Sequence, residues 1–565
     1  MPGLTGTIKM ARSSLMANQR AIELAGHNLA NVSNPAFSRQ RLSLQTAEGI
    51  PTSDGTQGAG VKVSGIEQYR DILLDRQIAN EGSILAYLEE KQKILQFAQS
   101  MIGQDVDRTA SSPEGKAASK GVGGQMGLGD NLAEFFNALQ ALSSNPSSQA
   151  HRQVVVFKAD NLSEKFNRID FRLGELGHDL NNEVVSMVED VNNAITFMEK
   201  IGHLISSHKM MSNANDYVDK FHHRLEDLSK FVDVQFEFKP VKGADPTTDK
   251  EMEKLYLKVG GVEVIQAGDI VSMLTLVIKD VGGNTVTRQN NLLQRGDTVY
   301  VETVKSPEQF QLSSGKIKAV IDARDQAVKG FRDSMNIVSE KIKDRINQEH
   351  RKGASLPILK LASVFTGTGG LAIEGLSSDL STGDQLLFAN GGVFTVAEDA
   401  VIGSTELKGA YAGDFPLAKG ERAALQNLDF FDTATQGLSV NGRISGNTAL
   451  LHASMGGDSG NNEMALRLAQ IIDEKQDSLK GQTLSEAINR EVVGFGQELN
   501  SIETQALDQG AVLRMLEEHR TSIAGVSIDE EMANLLVFQR AFQANAKLIK
   551  LLDSLVEVSL EIVHG

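Results

Sequence analysis

The 565-residue chain contains no cysteine and no tryptophan, and aromatic residues make up only 5% of it. Without cysteine the chain has no disulfide bonds and no thiolate metal ligands. This absence fits either a reducing cytosol or a protein that crosses compartments without needing disulfides. The low aromatic content argues against an aromatic-lined pocket for a small molecule.

Long apolar runs are also missing. No stretch approaches the roughly 18–20 apolar residues of a membrane span. Residues 8–32 carry interspersed charged and amide side chains, so we expect no secretory signal and an export route that keeps the N-terminus. The net charge of −17 argues against binding to nucleic acid or to an anionic membrane surface.

A chain of this length exceeds what one hydrophobic core supports, so three or four domains are expected. A hydrophobic content of 41% and a charged content of 23% are ordinary for a folded protein. The composition therefore indicates a folded, multidomain protein.

What is present is a narrow apolar seam at each end of the chain, with steps of three and four residues. The N-terminal seam consists of Ile8, Ala11, Leu15, Asn18, Ile22, Ala25, Leu29 and Val32. The C-terminal seam consists of Ile528, Leu535, Phe538, Phe542, Asn545, Ile549, Leu552, Val556 and Val563. A seam two positions wide per heptad is typical of a coiled coil.

Such a helix is marginal alone in water and becomes stable when another helix covers the seam. We expect the two ends to pair with each other, with neighbouring subunits as further partners. Asn18 and Asn545 occupy seam positions, where asparagine lowers stability and fixes register, or else tolerates exposure at a frayed seam. Ser527 and Glu530 form a capping-box pattern at the start of the last helix.

Between the ends the hydrophobic period changes several times. The first helix should end near Ala30, because Pro35 and the turn-forming residues before it disfavour a helix. Residues 104–131 are rich in Gly, Ser and Ala and are predicted to be a flexible loop. The long periodic stretch 178–232 predicts two or more helical rods, and another helix is expected at 316–348.

Alternating patterns around glycine pairs predict β-hairpins at Gly260-Gly261, at Gly282-Gly283 and at Asn390-Gly391-Gly392. The predicted fold is multidomain and mainly α, with long helical rods, paired terminal coiled-coil helices and two inserted β-rich modules. The predicted domains are an axial domain (1–40 plus 520–565), a helical rod domain (41–234 plus 315–356 plus 442–519) and β modules at 235–314 and 357–441.

Motifs that would indicate an enzyme are weak. Gly457-Asp458-Ser459-Gly460 matches the nucleophile segment of chymotrypsin-like proteases, but a β-barrel pattern is missing and a helix follows. The run 367–372 loosely fits a dinucleotide fingerprint without its strand–turn–helix context. His203, His208 and the pair His222-His223 lie in helical segments without an evident ligand set, so we expect them to be exposed. No catalytic, cofactor or metal site is predicted.

Both terminal segments resemble bacterial flagellar axial proteins. Residues 25–40, AGHNLANVSNPAFSRQ, are similar to their N-terminal signature, and Ser38-Arg39-Gln40 resembles the hook-associated (FlgK) family. Residues 527–547, SIDEEMANLLVFQRAFQANAK, are similar to the matching C-terminal motif. Ala36 stands at a position where these proteins have glycine. Alanine disfavours a turn with positive φ at this position.

The resemblance implies a structural adaptor that forms a ring at the hook–filament junction and mechanically couples hook to filament. The axial contacts are then expected from Ile8, Leu15, Asn18, Ile22, Leu29, Leu535, Phe538, Phe542, Asn545, Ile549, Leu552 and Val556. The turn motif comprises Asn28, Asn31, Asn34, Pro35, Phe37, Ser38, Arg39 and Gln40.

The implied partners are further copies of the chain, the flagellar hook protein, the next hook-associated junction protein and an export chaperone on the C-terminal helix. The implied location is the flagellum, reached through the type III export apparatus, and therefore extracellular, or periplasmic in an enclosed flagellum. Two alternatives stay open: a hook or rod protein with the same ends, and a secreted type III coiled-coil effector or translocator.

Overall fold

Helices dominate the fold. The computed structural model describes residues 2–52, 55–102, 127–209, 214–241, 252–289, 292–305, 307, 310–367, 370–414 and 416–564. The α-helices are α1 (Pro2–Ala30), α2 (Ile72–Ile102), α3 (Leu128–Ser144), α4 (Gln149–Lys209), α5 (Asn215–Phe231), α6 (Lys316–Asp322), α7 (Lys329–His350), α8 (Gly442–Gly446), α9 (Glu463–Gln470), α10 (Leu484–Ala524) and α11 (Ile528–His564).

The strands form antiparallel sheets. In chain order they are β1 (Gln40–Thr46), β2 (Ile50–Thr52), β3 (Gly55–Gln57), β4 (Val61–Gln68), β5 (Val234–Val241), β6 (Met252–Val259), β7 (Val262–Gln266), β8 (Asp269–Ile270), β9 (Leu274–Lys279), β10 (Thr285–Val286), β11 (Thr298–Thr303), β12 (Ala354–Leu361), β13 (Leu371–Glu374), β14 (Gln385–Phe388), β15 (Val393–Val396), β16 (Glu406–Leu407), β17 (Gly409–Ala412) and β18 (Arg422–Gln426).

Contacts divide the chain into two compact units that share several long helices. The first unit contains Met1–Lys91, Asn181–Ile321 and Ile502–Gly565, and the second contains Gln92–Leu180 and Asp322–Ser501. Each unit is therefore assembled from chain segments that are far apart in sequence.

In the first unit, β1 pairs with β4 and β2 pairs with β3. A four-stranded sheet has the order β5-β6-β7-β8, and a three-stranded sheet has the order β10-β9-β11. Gly260 and Gly261 have φ angles of 55° and 80° in the two-residue turn between β6 and β7. Two successive positive φ angles match the right-handed twist of the flanking strands, which explains why glycine occupies both positions.

The second unit contains a seven-stranded sheet of order β16-β13-β12-β18-β14-β15-β17. Its helical core includes a tight aromatic cluster in which the rings of Phe135, Phe430 and Phe431 lie within about 6 Å of one another. Along α4, one face is buried at steps of three and four residues. The members in this unit are Val155, Ala159, Leu162, Phe166, Ile169, Leu173, Leu176 and Leu180.

The three predicted hairpins are confirmed by the pairs β6–β7, β9–β10 and β14–β15. The first helix ends at Ala30, as its turn residues predict. Each larger sheet lies in a unit that also contains helices, so the existence of two separate β modules is not confirmed. The four-domain division stays a prediction.

Three local predictions need correction or lie outside the described residues. The helix predicted at 316–348 extends from Lys316 to His350 and contains a π-helical segment, Ala323–Val328, which periodicity alone does not reveal. The loop predicted at 104–131 falls largely on residues 103–126, which lie outside the described residues, and α3 already begins at Leu128. Positions 368 and 369 of the glycine-rich motif also lie outside them.

Candidate functional site: the paired terminal helices

The first and last helices of the chain pack along each other within the first unit. On α11, Leu552 is buried, whereas the first predicted seam position, Ile528, is 52% exposed. The side chain of Val563 lies outside the described residues. The other predicted seam positions are half-buried, namely Leu535, Phe538, Phe542, Asn545, Ile549 and Val556. These positions share one helix face. The seam predicted from the heptad pattern is therefore the covered face of α11, and its role in assembly stays a prediction.

On α1 the covered face is wider than the predicted seam. Ile8, Leu15, Asn18, Ile22 and Leu29 are all half-buried. The most buried positions are Ala11 and Ala25, which belong to the predicted seam, and Ala17, Ala21, Leu24 and Asn28, which lie outside it. This helix also contacts β1 and β4, so it has two partners rather than one. Alanine allows close approach of the neighbouring backbone, and its small side chain gives only a weak signal in a hydrophobic pattern.

A polar contact crosses the helix pair at Ser14. The Asn545 amide donates to the Ser14 hydroxyl oxygen at 3.1 Å. The Asn18 amide donates to the Ser14 carbonyl of its own helix at 2.9 Å. The two seam asparagines thus converge on one residue without bonding to each other. Ser14 was not predicted because it lies outside the apolar seam.

The predicted turn motif forms a series of short turns after α1. Backbone N–H groups of Asn31, Asn34 and Phe37 donate to carbonyls three residues earlier, at 2.9–3.1 Å. The Asn34 side-chain oxygen accepts from the Ala36 N–H at 3.2 Å, and Pro35 is exposed. Among the described residues, the non-glycine positions with positive φ do not include Ala36, so the alanine is accommodated without strain.

The Asn28 side chain stabilises the end of this turn through hydrogen bonds to Gln40. Its side-chain oxygen accepts from the Gln40 N–H at 3.1 Å, and its amide donates to the Gln40 carbonyl at 2.9 Å and to Glu531 at 3.2 Å. The side chain is 2% exposed. Asn28 therefore satisfies both backbone groups of Gln40 and links α1, β1 and α11.

Arg39 forms the charged part of the same contact. Its guanidinium contacts the Glu531 carboxylate at 2.7–2.8 Å and the Glu530 carboxylate at 2.7 Å. The backbone N–H of Arg39 donates to the Ala524 carbonyl at 2.9 Å. Burial alone would lower the pKa of the Arg39 guanidinium, but hydrogen bonds and attraction from Glu531 and Glu530 raise it. We call Asn28, Arg39, Gln40, Glu530 and Glu531 the terminal clasp.

Of the two hydrogen bonds that define the predicted capping box, the one from the Glu530 N–H to Ser527 is present. The Glu530 N–H lies 3.4 Å from the Ser527 hydroxyl oxygen, as in an N-cap. The Glu530 carboxylate pairs with Arg39, a stronger partner than a neutral backbone N–H.

A buried charged cluster beside Ser38 consists of Arg70, which precedes α2, Asp75 of α2 and Asp219 of α5. The Ser38 N–H points to Asp219 at 3.5 Å, and Arg70 bridges Asp75 at 2.9 Å and Asp219 at 3.4 Å. Burial raises the pKa of Asp219 to about 6, against the lowering effect of Arg70. Burial likewise raises the pKa of Asp75. This cluster was not predicted, because its members are far apart in sequence.

The prediction of exposed histidines without carboxylate neighbours is wrong for His222 and, as regards the neighbours, for His203. His222 is 5% exposed and contacts the buried charged cluster, and burial lowers its pKa well below its ordinary value. His203 has carboxylate neighbours, since Glu199, His203 and Asp269 form the group of potential metal ligands found among the described residues. His223 is exposed, as expected, and the side chain of His208 lies outside the described residues.

Comparison with known proteins finds flagellar proteins, and one of the matches includes most of α11. The family model described as "Flagellar hook-associated protein FlgK helical domain" matches residues 122–357, and that of "Flagellar basal body rod FlgEFG protein C-terminal" matches residues 519–562. The protein named Flagellar hook-associated protein 1 from Bacillus subtilis is 24% identical over 99% of this chain and 97% of its own. Over nearly its whole length the chain is therefore similar to the FlgK family of flagellar hook-associated proteins.

Two further proteins of the same name are similar to this chain over its length. The proteins of that name from Salmonella typhimurium and Escherichia coli are each 22% identical over 99% of this chain and 100% of their own length. A solved structure titled "The structure of the flagellar hook junction protein FlgK from Burkholderia pseudomallei" aligns with 80% of this chain and 100% of its own, at a TM-score of 0.48 and 11% identity.

The resemblance to flagellar hook-associated proteins that the two terminal motifs indicated is therefore confirmed. The match to the basal-body rod model covers the C-terminal motif and most of α11, and the match to the FlgK model covers the helical segment from α3 to α7. None of the described helices is long and apolar enough to cross a membrane.

Proposed function

We propose that the chain is a structural subunit of the bacterial hook–filament junction. In this proposal it assembles as a ring through its paired terminal helices and mechanically couples the hook to the filament. The proposal rests on the similarity to the FlgK family and on the surface of α11 that α1 leaves uncovered.

That surface is a second apolar stripe on α11, beside the face that contacts α1. Its large members are between 38% and 62% exposed: Val537, Leu548, Leu551, Leu555 and Val558. The last four follow one another at steps of three and four residues, and Val537 lies eleven residues before Leu548 on the same helix face. Contiguous apolar surface of this kind marks an interaction site. A copy of the same chain is the partner that we propose, because a heptad stripe is complemented by another helix with the same pattern.

The terminal clasp supports a load-transmitting role. It holds α1, β1 and the start of α11 together, and Ser38 and Gln40 extend the contact to Asp219 and Asp216 on α5. A force applied to the terminal helices would therefore reach the rest of the first unit through several short hydrogen bonds and ion pairs. In this proposal the turn motif sets the path of the chain from the axial helices to the outer part of the subunit.

The proposed partners follow from the position of a junction protein. The hook protein would contact one side of the ring and the next hook-associated junction protein the other, and an export chaperone would cover α11 before export. The proposed route is the flagellar type III apparatus, which places the protein on the flagellum outside the cytoplasm. We propose a structural and not a catalytic role.

The decisive experiment places a charge on the uncovered stripe. Leu551 is 58% exposed, so Leu551→Asp should leave the isolated subunit folded. In cells that lack the native subunit, we expect this variant to be exported but not to support filament growth. Lys550→Asp, at the exposed neighbouring position, is the matched control and should restore growth. Filament growth with Leu551→Asp would contradict the proposed subunit contact.

A truncation tests the wider assignment of the ends. Removal of about the last 30 residues takes away most of α11, and we expect a soluble product with a folded second unit that does not support filament growth. Circular dichroism and electron microscopy of complemented cells measure the two effects. Filaments formed by the truncated chain would contradict an assembly role for the C-terminal helix.

A hook or rod position is the second candidate, because residues 519–562 match a rod-protein model. The match of residues 122–357 to the FlgK helical domain favours the junction. Immunogold labelling of intact flagella separates the two positions. Label confined to the boundary between hook and filament supports the junction, whereas label along the hook or in the basal body supports the alternative.

A further inference from the structure

Three potential metal ligands meet where α4 faces the turn between β7 and β8. Glu199 and His203 are one turn apart on α4, so both side chains project from the same helix face. Asp269 follows the tight turn formed by Ala267 and Gly268, whose φ angles are 52° and 94°. All three residues belong to the first unit.

The turn is held against the helix by close packing. A Cβ atom added at Gly202 would lie 3.0 Å from the Leu255 side chain of β6, so the helix and sheet approach closely because position 202 is glycine. A Cβ atom added at Gly268 would lie 3.4 Å from the His203 ring. The Ile270 N–H donates to the Glu199 carboxylate at 3.3 Å. Helix and turn therefore hold the three side chains in place.

The distances suit a shared ion better than a direct hydrogen bond. The His203 Nε2 atom lies 3.5 Å from the Asp269 Oδ1 atom, beyond the usual N–H···O range of about 2.7–3.2 Å. Two ligands of one tetrahedral zinc ion, each about 2.0–2.1 Å from the metal, are about 3.3–3.4 Å apart. One ligand atom from each of the three side chains lies within 4.8 Å of the other two.

We propose that Glu199, His203 and Asp269 bind one divalent transition-metal ion of the zinc class. An imidazole and two carboxylates suit Zn²⁺ and its first-row neighbours, whereas Mg²⁺ and Ca²⁺ prefer oxygen ligands alone. The His203 and Asp269 side chains are 42% and 78% exposed, so the ion can reach them and water completes its coordination. The bound ion joins the β7–β8 turn to α4 and stiffens this part of the first unit.

Isothermal titration of the metal-free full-length chain with ZnCl2 tests the site. We expect one tight Zn²⁺ equivalent with a dissociation constant in the micromolar range, and no comparable binding of MgCl2. His203→Gln, Glu199→Gln and Asp269→Asn should each weaken that equivalent by about tenfold or more. His223→Gln, which changes an exposed histidine on α5, is the matched control and should bind as the unchanged chain does.

Cobalt provides a second measurement that reports the ligands directly. Replacing Zn²⁺ with Co²⁺ should give visible d–d absorption that is lost in His203→Gln and kept in His223→Gln. The residues concerned lie at the surface, and far-UV circular dichroism checks that each variant is folded. The proposal is overturned if the chain binds no Zn²⁺ at 100-fold excess, or if the three variants bind it as tightly as the control.

Discussion

The guanidinium of Arg39 lies 2.7 Å from the carboxylate of Glu531, although 492 positions separate the two residues in the chain. The Glu531 side chain is 4% exposed and that of Arg39 is 21% exposed. A carboxylate this deeply buried depends on its cationic partner, because an unpaired buried charge is strongly destabilising. The pair therefore makes the docking of α11 depend on the turn that follows α1.

Arg39→Ala should loosen the start of α11. Since the pair is partly exposed, we expect the free energy that holds the start of α11 in place to fall by about 2–3 kcal/mol. Breaking a fully buried pair costs about 3–5 kcal/mol. Hydrogen exchange of peptides from residues 528–545 in the full-length chain measures it. Glu530→Ala is the matched control, because Glu530 is 62% exposed and should contribute less than about 1 kcal/mol. Equal effects of the two variants would contradict a special role for Glu531.

Asn545→Leu tests whether the contact with Ser14 fixes the register of the helix pair. The leucine removes a polar group from a half-buried seam, so we expect slower hydrogen exchange along α11. We also expect poorer filament growth, because the position no longer specifies one alignment. Asn534→Leu, also half-buried on α11, is the comparison variant. Normal growth with Asn545→Leu would show that Asn545 does not determine the register.

Acid should destabilise the second unit through His350 and His452, whose rings stack 4.0 Å apart. The His350 Nδ1 donates to the Leu428 carbonyl and its Nε2 accepts from the His452 N–H, which requires a neutral ring. Burial lowers the pKa of His350 to about 4 and that of His452 well below its ordinary value.

Because these pKa values are lowered on folding, the stabilisation is complete above pH 6.5 and is lost as the pH falls towards 4. The shift of His350 alone corresponds to about 3 kcal/mol. Thermal unfolding of the full-length chain between pH 7.5 and 4 measures the loss. His350→Gln should be less stable at pH 7.5 but lose less over this range, whereas His223→Gln should follow the unchanged chain. Parallel curves for all three would contradict the assignment.

Asp219 should have the opposite pH dependence. Burial raises its pKa from 3.8 to about 6, so its contribution to stability is complete below pH 3.8 and is lost as the pH rises through 6. Asp219→Asn should therefore raise the melting temperature at pH 7.5 and have little effect near pH 4. The gain corresponds to at most about 3 kcal/mol, since Arg70 loses one partner. Asp553→Asn, at an exposed position on α11 away from this cluster, is the control. A destabilised Asp219→Asn at pH 7.5 would show that the ion pair with Arg70 outweighs burial.

The sequence by itself determined the features that depend on local pattern. Heptad spacing identified the covered face of α11, including Leu552 and Asn545, because one helix face is buried along its length. Glycine pairs identified the hairpins, since positive φ excludes most other residues. The terminal motifs indicated the resemblance to flagellar hook-associated proteins, which the comparisons confirm.

Only the tertiary structure decided which distant residues meet. Neither periodicity nor composition indicates that Arg39 meets Glu531, that Ser14 meets Asn545, or that Asp269 lies beside His203. A hydrophobic pattern reports which face of an element is buried, but it does not report what buries that face. Polar partners on separate elements depend on the relative position of those elements, which packing across the whole unit determines.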